Sequence, residues 1–93
     1  MYYVYVLASR KNGTLYNGVT SDLKKRMDQH KGKAFDGFSN KYDVNKLVYY
    51  EEYTSAETAI VREKQLKNWH RAWKMDLIES KNPEWEDLYG LLV

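Results

Sequence analysis

Two short runs of aromatic and β-branched residues restrict the start of the chain to a β-hairpin. The first run covers residues 2–7 and the second covers residues 14–19, with Asn12-Gly13 between them. Tyrosine and valine at this density favour strands over helices. Asparagine followed by glycine is the strongest short-range signal for a hairpin connection. The sequence therefore predicts two neighbouring antiparallel strands.

A first helix and a third strand are predicted after the hairpin. Ser21 or Asp22 can cap a helix that runs to about Lys31, where Gly32 ends it. Residues 33–45 show little periodicity and predict a loop. Residues 47–53 again combine aromatic and β-branched side chains, so they predict the third strand.

Two more helices are predicted in the second half of the chain. Thr54 and Glu57 match a capping box, with Ser55 as the rival cap. One stripe of this helix, apolar except for Glu63, is formed by Ala56, Ala59, Ile60, Glu63 and Leu66. The next helix, either separate or continuous through a kink, is marked by Trp69, Ala72, Trp73, Leu77 and Ile78. Asn82-Pro83 ends it, and residues 84–93 predict a short closing turn of helix.

The order β-β-α-β-α-α predicts an α+β fold in which helices flank a small three-stranded antiparallel sheet. With 93 residues, the chain has room for one domain, residues 1–93, and its apolar content of 43% is sufficient for one core. The absence of cysteine excludes disulfides and thiolate zinc sites, and it favours a cytoplasmic protein. No apolar run reaches membrane-spanning length, so no membrane partner is expected.

Glu63 is a carboxylate on an apolar helical stripe. It lies three residues from both Ile60 and Leu66. A carboxylate in such a place is costly unless it is paired, hydrogen-bonded or bound to a cation. Periodicity alone favours an ion pair with Arg26 or Arg62, or a position at the edge of the stripe.

Arg26 and His30 are four residues apart and share one face of the first predicted helix. A guanidinium and an imidazole side by side can bind a phosphate ester and exchange protons with it. The alternative is an ordinary solvated helix face. Tyr5 and Tyr16 lie on the two hairpin strands, where both rings can reach one side of the sheet, although strand tyrosines mostly serve packing.

In chain order, these residues resemble the pattern of the GIY-YIG nuclease family. Tyr3-Val4-Tyr5, ten intervening residues and Tyr16-Asn17-Gly18 are similar to the paired tripeptides that name the family. Arg26 and His30 continue the pattern, and residues 59–67 are similar to the helix that carries the family's metal-binding glutamate, here Glu63. The resemblance covers nearly the whole chain and is strongest to small bacterial proteins that consist of this domain alone.

The resemblance implies a metal-dependent endonuclease that hydrolyses phosphodiester bonds in DNA and serves its repair or processing. The limited surface of a small domain predicts weak binding that is either structure-selective or nearly non-specific. The resemblance implies that Tyr5 activates or orients the attacking water, with Tyr16 beside it. It further implies that Arg26 neutralises charge on the phosphate and that His30 relays a proton. It also implies that Glu63 holds one Mg²⁺ or Mn²⁺ ion, weakly without substrate because one carboxylate is a small contribution to such a site.

Activation of water by Tyr5 requires a phenol with a lowered pKa. A free phenol has a pKa near 10 and is a poor base at neutral pH, so Arg26 or the metal ion would have to lower that pKa. Gly18 is expected to let the backbone pack closely after the second strand.

The sequence also departs from the family pattern. Tyr3, Val4 and Asn17 replace framework residues of the two tripeptides. Residues 75–78, where many family nucleases have an asparagine, contain none. This departure favours a second hypothesis, a nucleic-acid-binding module with a decayed site. A third hypothesis is a protein-interaction adaptor that uses exposed tyrosines and the acidic tail.

Two segments, residues 24–46 and 62–74, are locally more basic than the chain as a whole, which has a net charge of +2. They flank the expected site and predict a path for phosphate groups. The candidate contacts are Lys24, Lys25, Lys33, Lys64 and Lys67. DNA is the expected partner, RNA is the alternative, and a partner protein is a candidate for targeting. Trp69, His70 and Trp73 offer rings for base stacking, although the helical spacing of the two tryptophans favours the core.

Overall fold

The computed structural model describes residues 1–32 and 44–92 of the protein. Most of the loop predicted at residues 33–45 lies outside these ranges. The described elements are β1 (Tyr2–Ala8), β2 (Leu15–Thr20), α1 (Leu23–Lys31), β3 (Lys46–Tyr53), α2 (Ala56–Lys67), α3 (Arg71–Lys81) and a 3₁₀ helix (Leu88–Leu92). The predicted order and the α+β class are confirmed.

β1 is the central strand of the antiparallel sheet, which has the order β2-β1-β3. Its side chains alternate between the two faces, and residues 4–8 are all buried. Tyr5 and Leu7 pack against α1. On the opposite face, Val4 packs in a cluster with residues of α2, while Val6 packs with α3 and the buried Trp85. The aromatic first run is thus a strand covered on both faces.

The hairpin connection is longer than a two-residue turn. β1 ends at Ala8 and β2 begins at Leu15. The backbone N–H of Ser9 donates to the carbonyl of Thr14, and the hydroxyl of Ser9 accepts from the N–H of Thr14. The left-handed residue is Asn12, with φ of 60°, a conformation that asparagine tolerates better than most residues. The predicted antiparallel pairing is confirmed.

Helix boundaries resolve two alternatives from the sequence. Asp22, rather than Ser21, caps α1 by accepting from the N–H of Lys25. Ser55, rather than Thr54, caps α2, because the helix starts at Ala56 and places the Ser55 hydroxyl near the N–H groups of its first turn. α2 ends at Lys67 and α3 starts at Arg71, so the two are separate helices.

Two apolar residues expected in the core lie on the surface. Ile60 is 41% exposed and Trp73 is 54% exposed. The buried side of α2 consists of Ala59, Glu63 and Leu66, which is a narrower stripe than predicted. On α3 the fully buried residue is Ile78. Short helices on one side of a small sheet bury only a narrow seam, so part of each predicted stripe faces solvent.

A polar network joins β3 to α2 through the carboxylate of Glu51. Arg62 donates to both of its oxygens, at 2.9 and 3.0 Å. The hydroxyls of Tyr49 and Tyr53 donate to it at 2.5 and 2.6 Å. Burial acts to raise the pKa of Glu51, but these bonds together hold that pKa below its ordinary value. The network fixes α2 against the sheet edge that also carries Tyr49.

Within residues 1–32 and 44–92, no helix combines the length and the apolar character that a membrane span requires.

We expect Glu51→Gln to lower the free energy of unfolding by about 2 kcal/mol at neutral pH, the scale of hydrogen bonds to a charged group. The amide cannot accept both donors of Arg62 and both tyrosine hydroxyls as a carboxylate does. Urea unfolding of the two proteins measures the difference. The neighbouring, exposed Glu52→Gln is the matched control and should leave stability almost unchanged.

The pH dependence of this difference has a defined sign. The folded-state pKa of Glu51 is lowered from its ordinary value of 4.5, so its stabilising contribution is present above about that pH. It is lost as the pH falls through the folded-state pKa, where the wild-type carboxylate takes up a proton. The stabilities of wild type and Glu51→Gln should therefore converge in acid, and a constant difference would contradict the assignment.

Candidate active site

The centre of the candidate site is a buried pair formed by Tyr5 and His30. The hydroxyl oxygen of Tyr5 lies 3.3 Å from Nε2 of His30, and the two ring centroids are 5.9 Å apart. β1 directs Tyr5 towards α1, and His30 is buried in the last turn of that helix. The residues come from positions 25 apart in the chain, so only the packing of α1 on the sheet brings them together.

Tyr16 completes a row of three rings. It enters from β2, with its ring centroid 5.7 Å from that of His30 in an edge-to-face arrangement. Tyr16 is partly exposed, whereas Tyr5 is 0% exposed. The predicted proximity of the two tyrosines to one side of the hairpin is therefore present. Their surroundings differ, because Tyr16 reaches the surface and Tyr5 does not.

Gly18 provides the space for the Tyr5 ring. In the antiparallel register Tyr5 lies directly opposite Gly18. A Cβ atom on Gly18 would be 2.6 Å from the Tyr5 hydroxyl and 2.8 Å from the ring carbon that bears it. The close approach expected at this glycine thus exists, and it involves a side chain of the site.

The electrostatics of the pair keep both groups uncharged at neutral pH. Burial raises the pKa of Tyr5 to about 12, and the nearby Tyr16 and Glu63 add to this rise. The charge of Arg26 and its hydrogen bond to Tyr5 act in the opposite direction without offsetting burial. The condition that Arg26 lowers the pKa of this phenol below its ordinary value is therefore not met. Burial, followed by the charge of Arg26, lowers the pKa of His30.

Arg26 lies where the starts of α1 and α2 approach the end of β2. It lines a polar hollow with Thr20 and Lys25, and it also lines a second hollow that reaches Ala56 and Ile60 of α2. A guanidinium in this place can donate to a phosphate that sits between the helices. A larger hollow runs along β3 on the other edge of the sheet, and none of the predicted catalytic residues lines it.

Glu63 is buried on α2 at 7% exposure. The Lys67 ammonium lies 3.0 Å from its Oε2 atom, and the two residues are one helical turn apart. Oε2 nevertheless accepts no hydrogen bond from the described residues, so Lys67 forms a charge pair without a directed bond. The predicted partner Arg62 is engaged by Glu51 instead. An oxygen buried in this way gains from a cation, which Lys67 supplies here. A carboxylate oxygen is also the type of ligand that a hard divalent ion takes.

The described residues contain no group of three or more histidine, cysteine or acidic side chains that could enclose a metal ion. A single carboxylate requires water and substrate oxygens to complete the coordination of Mg²⁺ or Mn²⁺. Glu63 is also the predicted site residue on the helix that packs opposite α1. Its link to the three rings is electrostatic, since it contributes to the raised pKa of Tyr5.

Asn17 is a site residue that the sequence did not identify. It occupies a framework position of the second tripeptide, yet it is buried and its Nδ2 atom donates to the backbone carbonyl of Glu63 at 3.3 Å. Asn82, the other buried asparagine among the described residues, donates to the carbonyls of Val48 and Glu86. The signal available in the sequence was a polar residue, Asn17, inside the segment predicted as the second strand.

The candidate lysine contacts differ in their surroundings. Lys24 forms an exposed ion pair with Asp28 at 2.8 Å, and Lys67 pairs with Glu63. Lys25 and Lys64 are exposed on α1 and α2. The remaining candidate, Lys33, lies outside the described residues.

Gly18→Ala is expected to destabilise the protein by about 1–3 kcal/mol, the usual cost of overpacking a core. The added methyl group meets the Tyr5 hydroxyl, which cannot move aside easily because it is buried and bonded to His30. Thermal or urea unfolding measures the loss. Gly90→Ala is the control, since nothing lies within 4 Å of its added atom, and it should change stability by less than about 0.5 kcal/mol. Equal effects would contradict the close approach.

Arg26→Gln is expected to raise the pKa of His30, because the positive charge of Arg26 disfavours the imidazolium. Burial, the larger cause, remains, so the pKa should rise only part of the way to its ordinary value. NMR titration of the His30 ring protons gives the result. Lys25→Gln, the neighbouring exposed cation, is the control, and an identical shift in both variants would argue against a specific effect of Arg26.

Comparison with known proteins shows the family of the chain. The GIY-YIG catalytic domain family matches residues 1–76. A UPF0213 protein of Syntrophus aciditrophicus is 37% identical over 83 residues, which are 88% of this chain and 93% of the relative. A UPF0213 protein of Clostridium perfringens is 35% identical over 82 residues, covering 88% and 87%.

A solved structure agrees in fold. The solution NMR structure of a UPF0213 protein from Bacillus halodurans superposes with a TM-score of 0.57 at 28% identity, covering 94% of this chain and 93% of that one. The family match spans most of the chain, and the relatives are matched over most of their own length. The chain therefore belongs to the GIY-YIG family.

Proposed function

We propose that this protein is a divalent-metal-dependent endonuclease that hydrolyses phosphodiester bonds in DNA. The observation that carries the proposal is the packed row Tyr5, His30 and Tyr16 with Arg26 acting on it. These side chains come from three elements, and their contacts need the folded chain. Membership in a family of catalytic domains supports the same conclusion.

We assign the role nearest the substrate to Tyr16. It is the partly exposed tyrosine of the row and can orient a water molecule against the phosphorus atom. Tyr5 is fully buried, so it acts as a positioning residue that holds the His30 ring from its buried side. His30 is uncharged at neutral pH, since burial lowers its pKa, and it accepts the proton that the attacking water gives up. The bond from phosphorus to the leaving oxygen breaks as the new bond to water forms.

Arg26 and Glu63 have the electrostatic roles. Arg26 faces the hollow between α1 and α2 and donates to the phosphate oxygens, whose negative charge grows in the transition state. Glu63 would hold one Mg²⁺ or Mn²⁺ ion through its buried carboxylate. When bound, such an ion supplies charge neutralisation and polarises a phosphate oxygen. Lys67, which now pairs with Glu63, would share that carboxylate with the ion.

Exposed cations beside the site bind the flanking phosphates. Lys25 lies one residue before Arg26, and Lys64 follows Glu63 directly. Lys24 contributes less because Asp28 offsets its charge, and Lys33 remains a candidate from the sequence. DNA is the proposed substrate, with a role in repair or processing, and RNA is the alternative that a substrate panel distinguishes.

A second candidate function is a nucleic-acid-binding module that does not cleave. It is favoured by the absence of an asparagine at residues 75–78 and by the raised pKa of Tyr5, which removes one route to a base. Asn17 offsets the missing asparagine at residues 75–78, because it supplies an amide beside Glu63 from β2.

The deciding experiment compares wild type, Glu63→Gln and Glu57→Gln on labelled single strands, duplexes, flaps and branches of DNA, with RNA counterparts. Glu57 lies exposed on the first turn of the same helix, so its glutamine variant is the matched control. With Mg²⁺ or Mn²⁺, wild type and Glu57→Gln should cleave, and Glu63→Gln should lose about 100-fold or more in rate.

The other outcomes are equally informative. Products that persist in EDTA or with Glu63→Gln would contradict a metal held by Glu63. Binding that survives in every variant without products at any metal concentration would establish the non-cleaving module instead.

A further inference from the structure

The segment of residues 82–92, which follows α3, is fixed tightly against the edge strand β3. Trp85 is 0% exposed, has a left-handed backbone with φ of 55°, and donates its indole N–H to Glu79 of α3 at 2.8 Å. Asn82 donates to a carbonyl of β3 and exchanges hydrogen bonds with the backbone of Glu86. A bulky residue keeps such a strained conformation only where its surroundings over-determine it, and strain of this kind concentrates at functional positions.

Asp87 follows this turn and joins three elements. Its Oδ2 atom lies 2.5 Å from Nζ of Lys31, the last residue of α1. Its Oδ1 atom accepts from the backbone N–H of Leu47 in β3 at 3.2 Å and from that of Tyr89 in the 3₁₀ helix at 3.1 Å. Burial acts to raise the pKa of Asp87, but the bonds from Lys31 and the backbone hold that pKa below its ordinary value. Asp87 is therefore an anion at neutral pH, and both of its oxygens are engaged.

A second contact joins the same segment to α1. The hydroxyl of Tyr89 donates to Oδ1 of Asp28, and the Lys31 ammonium lies 5.0 Å from the centre of the Tyr89 ring. Lys31 also donates to the carbonyl of Asn45 at 3.1 Å. Asp28 and Lys31 stand on either side of His30 in the chain. The contacts of the C-terminal segment with α1 therefore enclose the turn that carries the imidazole.

The position of His30 depends on this last turn. His30 is 6% exposed, and its Nε2 atom lies 3.3 Å from the Tyr5 hydroxyl. α1 has nine residues and ends one residue later, at Lys31. Short helices are marginal by themselves, and their ends fray because the last carbonyls lack partners within the helix. The imidazole is therefore held only as firmly as tertiary contacts hold the end of α1.

We propose that Asp87 is a positioning residue for His30, which acts through Lys31 to fix the last turn of α1 in the orientation that the imidazole needs to accept a proton. The side chains of Lys31 and Asp87 are 30% and 36% exposed, and an ion pair at such a place contributes little to stability by itself. A geometric role accounts better for a carboxylate that also binds two backbone N–H groups. This inference rests on the proposed function in one respect, since the reaction is the one in which His30 is the base.

Asp87→Asn tests the position of His30 without substrate or metal ion. Asparagine keeps an oxygen acceptor for the two backbone N–H groups but removes the charge that holds Lys31. In NMR spectra of the full-length protein, the cross-peaks between the Tyr5 and His30 rings should weaken. Amide hydrogen exchange at His30 and Lys31 should accelerate about tenfold, because loss of a charge-assisted bond makes local opening easier.

Glu84→Gln is the matched control. It removes a carboxylate from the adjoining turn whose ion pair, with Lys11, is exposed and 3.9 Å long, so it should change neither measurement. Lys31→Met should reproduce the effect of Asp87→Asn, and the double variant should add almost nothing, because both substitutions remove one interaction. Lys31→Met also provides the test if Asp87→Asn does not fold. Unchanged rings and exchange in both variants, additive effects, or an equal change in Glu84→Gln would each overturn the proposal.

Cleavage is measured separately with Mg²⁺ or Mn²⁺ on labelled DNA. Asp87→Asn should lower kcat about tenfold and leave KM within about twofold, since a displaced base slows the chemical step while the phosphate-binding groups remain. A displaced His30 ring in Asp87→Asn supports the positioning role even where wild type yields no products, and that result would count against the nuclease alone. Wild-type cleavage with an unchanged kcat in Asp87→Asn would overturn the role of Asp87 in the reaction.

Discussion

The burial of the Tyr5 hydroxyl is the constraint on which the rest of the site depends. A phenol in the interior must keep a hydrogen-bonding partner and must find room for its oxygen. His30 provides the first from α1, and the missing side chain of Gly18 provides the second from β2. Both conditions hold only when the β1–β2 register places Tyr5 opposite Gly18 and α1 lies across that face. The packing of the core therefore also determines the orientation of His30.

The opposite face of the sheet is held by a different kind of interaction. The carboxylate of Glu51 gathers Arg62 and two tyrosine hydroxyls, which fastens α2 to β3. Glu63 follows Arg62 directly in the chain, and Asn17 fixes its backbone to β2. α2 thus has an anchor to each edge strand of the sheet. A buried carboxylate with an oxygen that accepts no hydrogen bond persists here because the surrounding contacts hold the helix in place.

Several features were predictable because they depend on local chemistry. The strand character of the first run, the caps near Asp22 and Ser55 and the end of α1 at Gly32 follow from side-chain propensities within a few residues. The fold class followed from the order of these elements. Asn12-Gly13 indicated a hairpin connection but not its length, because the same dipeptide fits several loop lengths. The loop that formed is closed by Ser9.

The sequence by itself determined which groups are present and their order: two hairpin tyrosines, an arginine and a histidine one helical turn apart, and a carboxylate on an apolar stripe. The tertiary structure decided which of them are buried. It placed Tyr5 inside and Tyr16 at the surface, paired Arg62 with Glu51, and left Trp73 exposed. The reason is physical: a pKa, an ion pair and the exposure of a ring depend on side chains that meet through packing over long sequence separations, and residue spacing carries no information about those distances.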